Sequence, residues 1–248
     1  KVADDADGEL YVSDLNEAGG DFHSAGSDPG TTGKCLVMVT QDAQRTMNTF
    51  LGASDTLSAK EIDKEALKNS EWFYVEGYLM TDEARTAATK RAVEFAKKQG
   101  VKIAISLSDP FVVDAFGDVL RLVLGDGVDL IFCNKDEALA FTGSDDLDSA
   151  IEKLRIITKT FAITDGANGA ITFDGELVLR SEGVSAKAVD TNGAGDMFAG
   201  AFLHAITLGK GYDWAAKLAN DCASRVVAKF GPRLDLEEFD AIKTKFGI

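Results

Sequence analysis

Histidine is nearly absent: His23 and His204 are the only two in 248 residues. A histidine-rich metal centre has no stock to draw on, and a serine–histidine–aspartate triad has almost no candidates. His204 stands inside an apolar, helix-like run and reads as a packed or tip-exposed side chain. Cysteine is scarce as well. Cys35, Cys133 and Cys222 are three, an odd number with no C-x-x-C spacing, so neither a disulfide framework nor a thiolate metal site is encoded. They read as reduced, buried thiols. Basic residues are outnumbered, 26 Lys and Arg against 41 Asp and Glu, for a formal charge of −15. That balance offers no cationic cluster to nucleic acid or to an anionic membrane. No apolar run reaches the ~18 residues of a membrane span, and the opening KVADDADGEL lacks the basic-then-apolar order of an export signal. The expectation is an acidic, cytoplasmic protein that acts on small molecules.

The chain does have enough apolar residues, 45%, to bury one sizeable core. Short apolar runs at 35–40, 72–77, 102–108, 128–133, 161–164, 170–173 and 176–180 read as strands, and 184–190 is strand-like. Helical patterns fall near 9–18 and at 83–99, 111–124, 135–142, 146–158, 195–208, 213–229 and 235–246. Most strand-to-strand steps therefore cross through a helix. This predicts an α/β, doubly wound, mostly parallel sheet with helices on both faces, and ligands in such sheets bind beyond the carboxyl ends of the strands. Residues 35–50 break the alternation: two strands joined by the polar turn at 41–44 predict a small hairpin detached from the main sheet, placed as a lid.

The run AVDTNGAGDMFAGAFLHAI, 188–206, carries the strongest chemistry. Gly193-Ala194-Gly195 lead into a helix at Asp196, so bare N–H groups and the positive end of the helix converge on one spot. Such a spot attracts phosphate oxygens, and an ionised Asp196 beside it can take a proton from an attacking hydroxyl. The plainer alternative is a glycine-rich turn whose acid merely favours the helix dipole. Asn134 and Glu137, in NKDEALAFTG, form a capping box by spacing; they also suit magnesium held through water beside phosphates. In AITDGANGA, Thr164 ends a strand while Gly166 and Gly169 permit close approach of phosphates, or form a surface loop. No G-x-G-x-x-G occurs, and Gly33-Lys34-Cys35 lacks the upstream glycine and the hydroxyl of a P-loop.

Taken in order, Asn134-x-x-Glu137, Thr164-x-Gly166 and Asp190-Thr191-Asn192-Gly193-Ala194-Gly195-Asp196 resemble the ribokinase-like (PfkB-type) carbohydrate and nucleoside kinases, over nearly the whole chain. Within that family the sequences TTGKCLVMVT, VEGYLMT, SLSDPF and DTNGAGD are most like adenosine kinases. The resemblance implies ATP and Mg2+ as cofactors and a phosphoryl transfer to a primary hydroxyl of adenosine or a related ribonucleoside. It implies Asp196 as base, the amides of 193–195 as anion hole, and Asn134 and Glu137 around magnesium. Thr164, Gly166, Gly169 and Asn220 would contact ATP, Asp190 and Asn192 would hold a monovalent cation such as K+, and Phe111 would stack on the adenosine base. Phe111 reads equally as a core residue at a helix start. The family's opening strand with its aspartate, and the Gly-Gly and Asn motif after it, have no match here. The expectation is thus a single kinase domain over 1–248, incomplete at its N-terminal side, whose strand at 72–77 lacks a neighbour on one side. The alternatives are a sugar kinase of the same family, for ribose or fructose, and a non-catalytic nucleotide-binding fragment. Monomer and homodimer both stay open.

Overall fold

The computed structural model describes residues 1–22, 30–43 and 45–248; His23 and Gln44 lie outside them. The main sheet has six strands in the order β3 (Trp72–Glu76), β4 (Lys102–Ser106), β5 (Leu130–Asn134), β6 (Thr160–Thr164), β7 (Ala170–Phe173) and β8 (Val178–Ser181). The first four are parallel, and the last two return antiparallel. Crossing helices α3 (Glu83–Gln99), α4 (Pro110–Leu124), α5 (Lys135–Thr142) and α6 (Leu147–Ile157) pack on one face. The other face is covered after the last strand, by α7 (Ala194–Thr207), α8 (Tyr212–Val226) and part of α9 (Leu236–Phe246). The mostly parallel sheet and its two helical layers match the expected architecture. Outside the sheet lie α1 (Ala6–Glu17) and the short α2 (Lys64–Lys68).

The two-residue period of the strands divides the core. Ile131 and Cys133 of β5 point to the crossing helices, whereas Leu130 and Phe132 point to α7 and α8. Phe202, fully buried, meets Phe132 edge-on at 5.6 Å and Tyr212 at 5.0 Å between ring centroids. Burial of that ring stabilises the fold by roughly 2–3 kcal/mol, and it fixes where α7 lies on the sheet. Helix starts follow the sequence closely. Asp82, Asp109, Asn134, Asp146 and Asp235 each accept from a first-turn amide of the helix that follows.

The hairpin is present as an antiparallel pair, β1 (Lys34–Val39) and β2 (Arg45–Phe50). Nothing among the described residues covers it fully: Leu36 is 66% and Phe50 57% exposed. Its tip, however, rests on the loop before α7. Thr191 Oγ1 donates to Ala43 O at 3.2 Å and accepts from Arg45 Nη1 at 3.1 Å.

Two readings need correction, and one on the sheet edge is borne out. Cys35 is exposed, not buried, because it sits on this hairpin and no second layer of the described residues packs there; Cys133 and Cys222 are buried as expected, and all three are free. Residues 184–190 form no strand. After β8 the chain leaves the sheet, and Val189 and Asp190 N–H donate instead to Val227 O at 2.7 and 3.3 Å. The run 72–77 is indeed a sheet edge, pairing only with β4 among the described residues. No helix of the described residues is long and apolar enough to cross a membrane.

Candidate active site

The loop before α7 is held from below by a buried carboxylate. Asp190 is 4% exposed; its Oδ1 accepts from Asn192 N–H at 2.9 Å and its Oδ2 from Gly231 N–H at 3.0 Å. Gly193 then turns the chain into the helix with φ +76. A Cβ at Gly193 would stand 2.5 Å from Pro232 Cβ, so only glycine fits. Unlike the five helices capped by aspartate or asparagine above, α7 receives no side-chain cap. The Gly195 and Asp196 N–H groups meet no acceptor among the described residues, and the space above Gly195 is open. Asp196 is exposed in the first turn and makes no hydrogen bond or ion pair with the described residues. A helix N-terminus with free amides and an unengaged carboxylate can hold an anion and take up a proton.

Along the carboxyl edge of the sheet, Asn134 and Thr164 are register partners. Asn134 and Glu137 do form the capping box: Glu137 N–H donates to Asn134 Oδ1 at 2.8 Å, and Asn134 N–H to Glu137 Oε2 at 3.0 Å. A third bond, Asn134 Nδ2 to Glu137 Oε1 at 2.7 Å, closes the pair. Burial raises the Glu137 carboxyl to about 7 against the pull of the Asn134 amide, with Asp109 and Asp136 adding to the rise. No group of three or more His, Cys, Asp or Glu that could chelate a metal exists among the described residues. The donor set therefore fits a magnesium ion carried on phosphate oxygens and approached through water, not one caged by protein.

Beyond Thr164 the turn 166–169 packs against the end of β8. Gly166 is exposed, with open space above it, whereas a Cβ at Gly169 would lie 2.1 Å from Ser181 O. Gly169 thus serves a close approach of the chain to itself. Asn220, buried on α8, gives its Nδ2 to Glu182 O at 3.0 Å and to Ser181 Oγ at 3.3 Å, which leaves its Oδ1 as the atom free for a ligand.

At the other end, Phe111 is 65% exposed at the start of α4 and is not a core residue. Three groups here were missed in the sequence. Glu76 ends β3, its carboxyl raised by burial and by nearby Asp196. Arg45 reaches Thr191 from the hairpin. Tyr78 follows Glu76 on the turn 77–81. An acid closing an apolar strand and a single arginine in a Thr-rich strand were the available signals. A hollow of about 610 Å3 shares Asp196 with this site but runs down the flank of α7 past Gly200 and His204 to α9.

The model of the pfkB family carbohydrate kinases matches residues 1–238. The chain belongs to that family. The adenosine kinase of Saccharomyces cerevisiae is 27% identical over 258 residues, covering 98% of this chain and 74% of its own length. The crystal structure of adenosine kinase from Sinorhizobium meliloti superposes with a TM-score of 0.93 at 32% identity, over 98% of this chain and 76% of that one. A probable sugar kinase from Rhizobium etli superposes at 0.94 with 29% identity, over 100% and 76%. Membership makes the chain a kinase with the ribokinase-like fold, and the relatives named above are adenosine kinases and a probable sugar kinase.

Proposed function

We propose that this pfkB-family kinase transfers the γ-phosphoryl group of ATP to a primary hydroxyl of adenosine or a related ribonucleoside. The observation that carries the transfer step is the uncapped start of α7 with Asp196 unengaged beside it. Asp196 takes the hydroxyl proton as the acceptor oxygen bonds to the γ-phosphorus, while the bond from that phosphorus to the β–γ bridging oxygen breaks and ADP leaves. The amides of Gly193, Ala194 and Gly195, with that of Asp196, would face the charge on the moving phosphoryl group, Ala194 N–H giving up its long bond to Thr191 O at 3.5 Å. Thr164, Gly166 and Asn220 would line the nucleotide side, and Gly169 shapes the turn that carries Gly166. Magnesium, when bound, screens the phosphate charge; Asn134 and Glu137 would hold its water shell. A K+ ion on the remaining lone pairs of Asp190, with Asn192, would stiffen a turn that the two amide bonds already shape. A freely exposed Asp196 argues against a non-catalytic nucleotide-binding role.

Adenosine is supported by the exposed ring of Phe111 and by the likeness to adenosine kinases. Base–aromatic stacking is worth roughly 1–3 kcal/mol, so Phe111→Ala is expected to raise the adenosine KM about 5- to 150-fold and leave the ATP KM alone. An unchanged adenosine KM would remove Phe111 from the site. The second reading, a sugar kinase, is favoured by the likeness to a probable sugar kinase, and Glu76 near Asp196 suits the hydroxyls of either acceptor. A coupled ADP-release assay with adenosine, ribose and fructose decides between them.

Glu137 makes a further expectation about pH. Its folded value of about 7 lies above the ordinary 4.5, so its contribution to stability is complete below pH 4.5 and is lost as pH rises through 7. Without magnesium, the melting temperature should fall from pH 5 to pH 8 more steeply in the wild type than in Glu137→Gln. The half-saturating magnesium concentration should fall over the same rise in the wild type only, since the ionised carboxylate is the form that holds metal-bound water. Parallel melting curves and equal magnesium requirements would remove Glu137 from the metal side.

A further inference from the structure

The dipeptide Asn-Gly occurs twice, at 168–169 and at 192–193, once in each of the two glycine turns described above. An asparagine before glycine is chemically exposed, because the missing Cβ lets the glycine nitrogen swing onto the side-chain carbon of the asparagine. The fold treats the two copies differently. In the first, Gly169 N–H closes its turn by donating to Gly166 O at 3.2 Å, and Asn168 Nδ2 donates to Asp165 Oδ2 at 3.1 Å. Both reacting groups are engaged. In the second, the pair sits one place earlier in its turn, which is closed by Ala194 N–H to Thr191 O at 3.5 Å. Asn192 and Gly193 are then the two middle residues, and the closing bond uses neither of them.

Gly193 has φ +76 and ψ 0, the geometry of the third residue of a type II turn. Its N–H meets no acceptor among the described residues. Asn192 donates its backbone N–H to Asp190 Oδ1 at 2.9 Å, but its half-buried side-chain amide has no partner among the described residues. Position adds a second effect, since Gly193 is the uncapped start of α7, where the positive end of the helix steadies negative charge on its nitrogen and on a carbonyl oxygen under attack. The feature that suits this turn to phosphate also suits it to ring closure.

We propose that Asn192 is a site of spontaneous deamidation that disables the anion-binding turn. Gly193 N attacks Asn192 Cγ; the new C–N bond forms, the Cγ–Nδ2 bond breaks, and ammonia leaves with the proton that Gly193 N gives up. Water then opens the five-membered imide, giving aspartate by attack at Cγ or isoaspartate by attack at the main-chain carbonyl carbon. Either product puts a new carboxylate on the turn, and isoaspartate also lengthens the main chain by one carbon. The turn has no slack to absorb it: a Cβ at Gly193 would already stand 2.5 Å from Pro232 Cβ, and Asp190 holds the amides of Asn192 and Gly231. Its donors therefore lose their aim. The deamidation itself is independent of the kinase reading, whereas its effect on ATP rests on that reading.

The test ages the full chain in mildly alkaline buffer, folded and in urea, and follows both asparagines by peptide mapping that separates asparagine, aspartate and isoaspartate. In urea the two copies should convert alike. In the folded chain Asn168 should slow by about tenfold or more, the cost of opening two hydrogen bonds, while Asn192 keeps most of its unfolded rate. A non-hydrolysable ATP analogue with magnesium should slow Asn192 severalfold, because its phosphates occupy Gly193 N–H and the helix end. ATP affinity, measured by calorimetry, should fall in step with the converted fraction at 192. Asn192→Ser has no amide to lose and should hold its own starting ATP affinity through the same ageing. Asn192 converting no faster than Asn168 in the folded chain overturns the proposal, and so does an Asn192→Ser chain that loses ATP affinity as fast as the wild type. Conversion at Asn192 that the analogue does not slow and that leaves ATP binding unchanged overturns the placing of phosphate on this turn, with the deamidation itself upheld.

Discussion

Asp196→Asn is expected to lower kcat by a factor on the order of 10² or more while ATP binds about as before. Asparagine keeps the size and the exposed position of the side chain but cannot take the hydroxyl proton, and the anion-binding amides of the turn are untouched. The reading of Asp196 as a mere helix-dipole partner gives a different result: a stability loss of about 0.3–1 kcal/mol and no kinetic change. Rates under single-turnover conditions, with ATP affinity measured in parallel, separate the two. A variant that turns over at the wild-type rate would remove Asp196 as the base.

Gly193→Ala should be nearly as damaging, for a reason confined to the backbone. A non-glycine residue at φ +76 costs roughly 1–2 kcal/mol, and the new methyl would overlap Pro232 Cβ at 2.5 Å. Pro232 adjoins Gly231, whose amide is bonded to Asp190, so the loop cannot yield without disturbing its own support. Loss of the aim of one anion-binding donor costs about 10² to 10³ in kcat, and that is the expected effect. Gly195→Ala is the control, because its added methyl meets nothing within 4 Å. It should melt like the wild type and lose affinity for ATP, since the only thing to collide with is the ligand. Full turnover in Gly193→Ala, or unchanged ATP affinity in Gly195→Ala, would show that the phosphoryl group does not pass this loop.

Much of the molecule was legible in the amino-acid order, because the signals are local. The helices at 83–99 and 135–142 have the same ends in the structure as in the sequence reading, since Asp82 and Asn134 are placed to cap them. The alternation of apolar strands and helices announced the mostly parallel sheet, and GAGD at a helix start announced an anion-binding turn. The capping box at Asn134 and Glu137 was foreseen too, as one of two readings, and its hydrogen bonds do not exclude the other.

The rest depended on what lies across the fold. No spacing rule shows that Arg45 meets Thr191, 146 residues further on, or that Glu76 shares its surroundings with Asp196. The burial of Glu137 that lifts its ionisation, and the exposure that takes Cys35 and Phe111 out of the core, are likewise properties of the packed layers. The strand-like pattern at 184–190 failed for the same reason: a strand needs a partner, and Val227 offered the backbone a nearer bond. Sequence by itself determined the elements and the chemistry available at their ends, because capping, periodicity and turn geometry act over a few residues. Only the tertiary structure decided which of those ends share a site, because proximity, desolvation and charge coupling act through space.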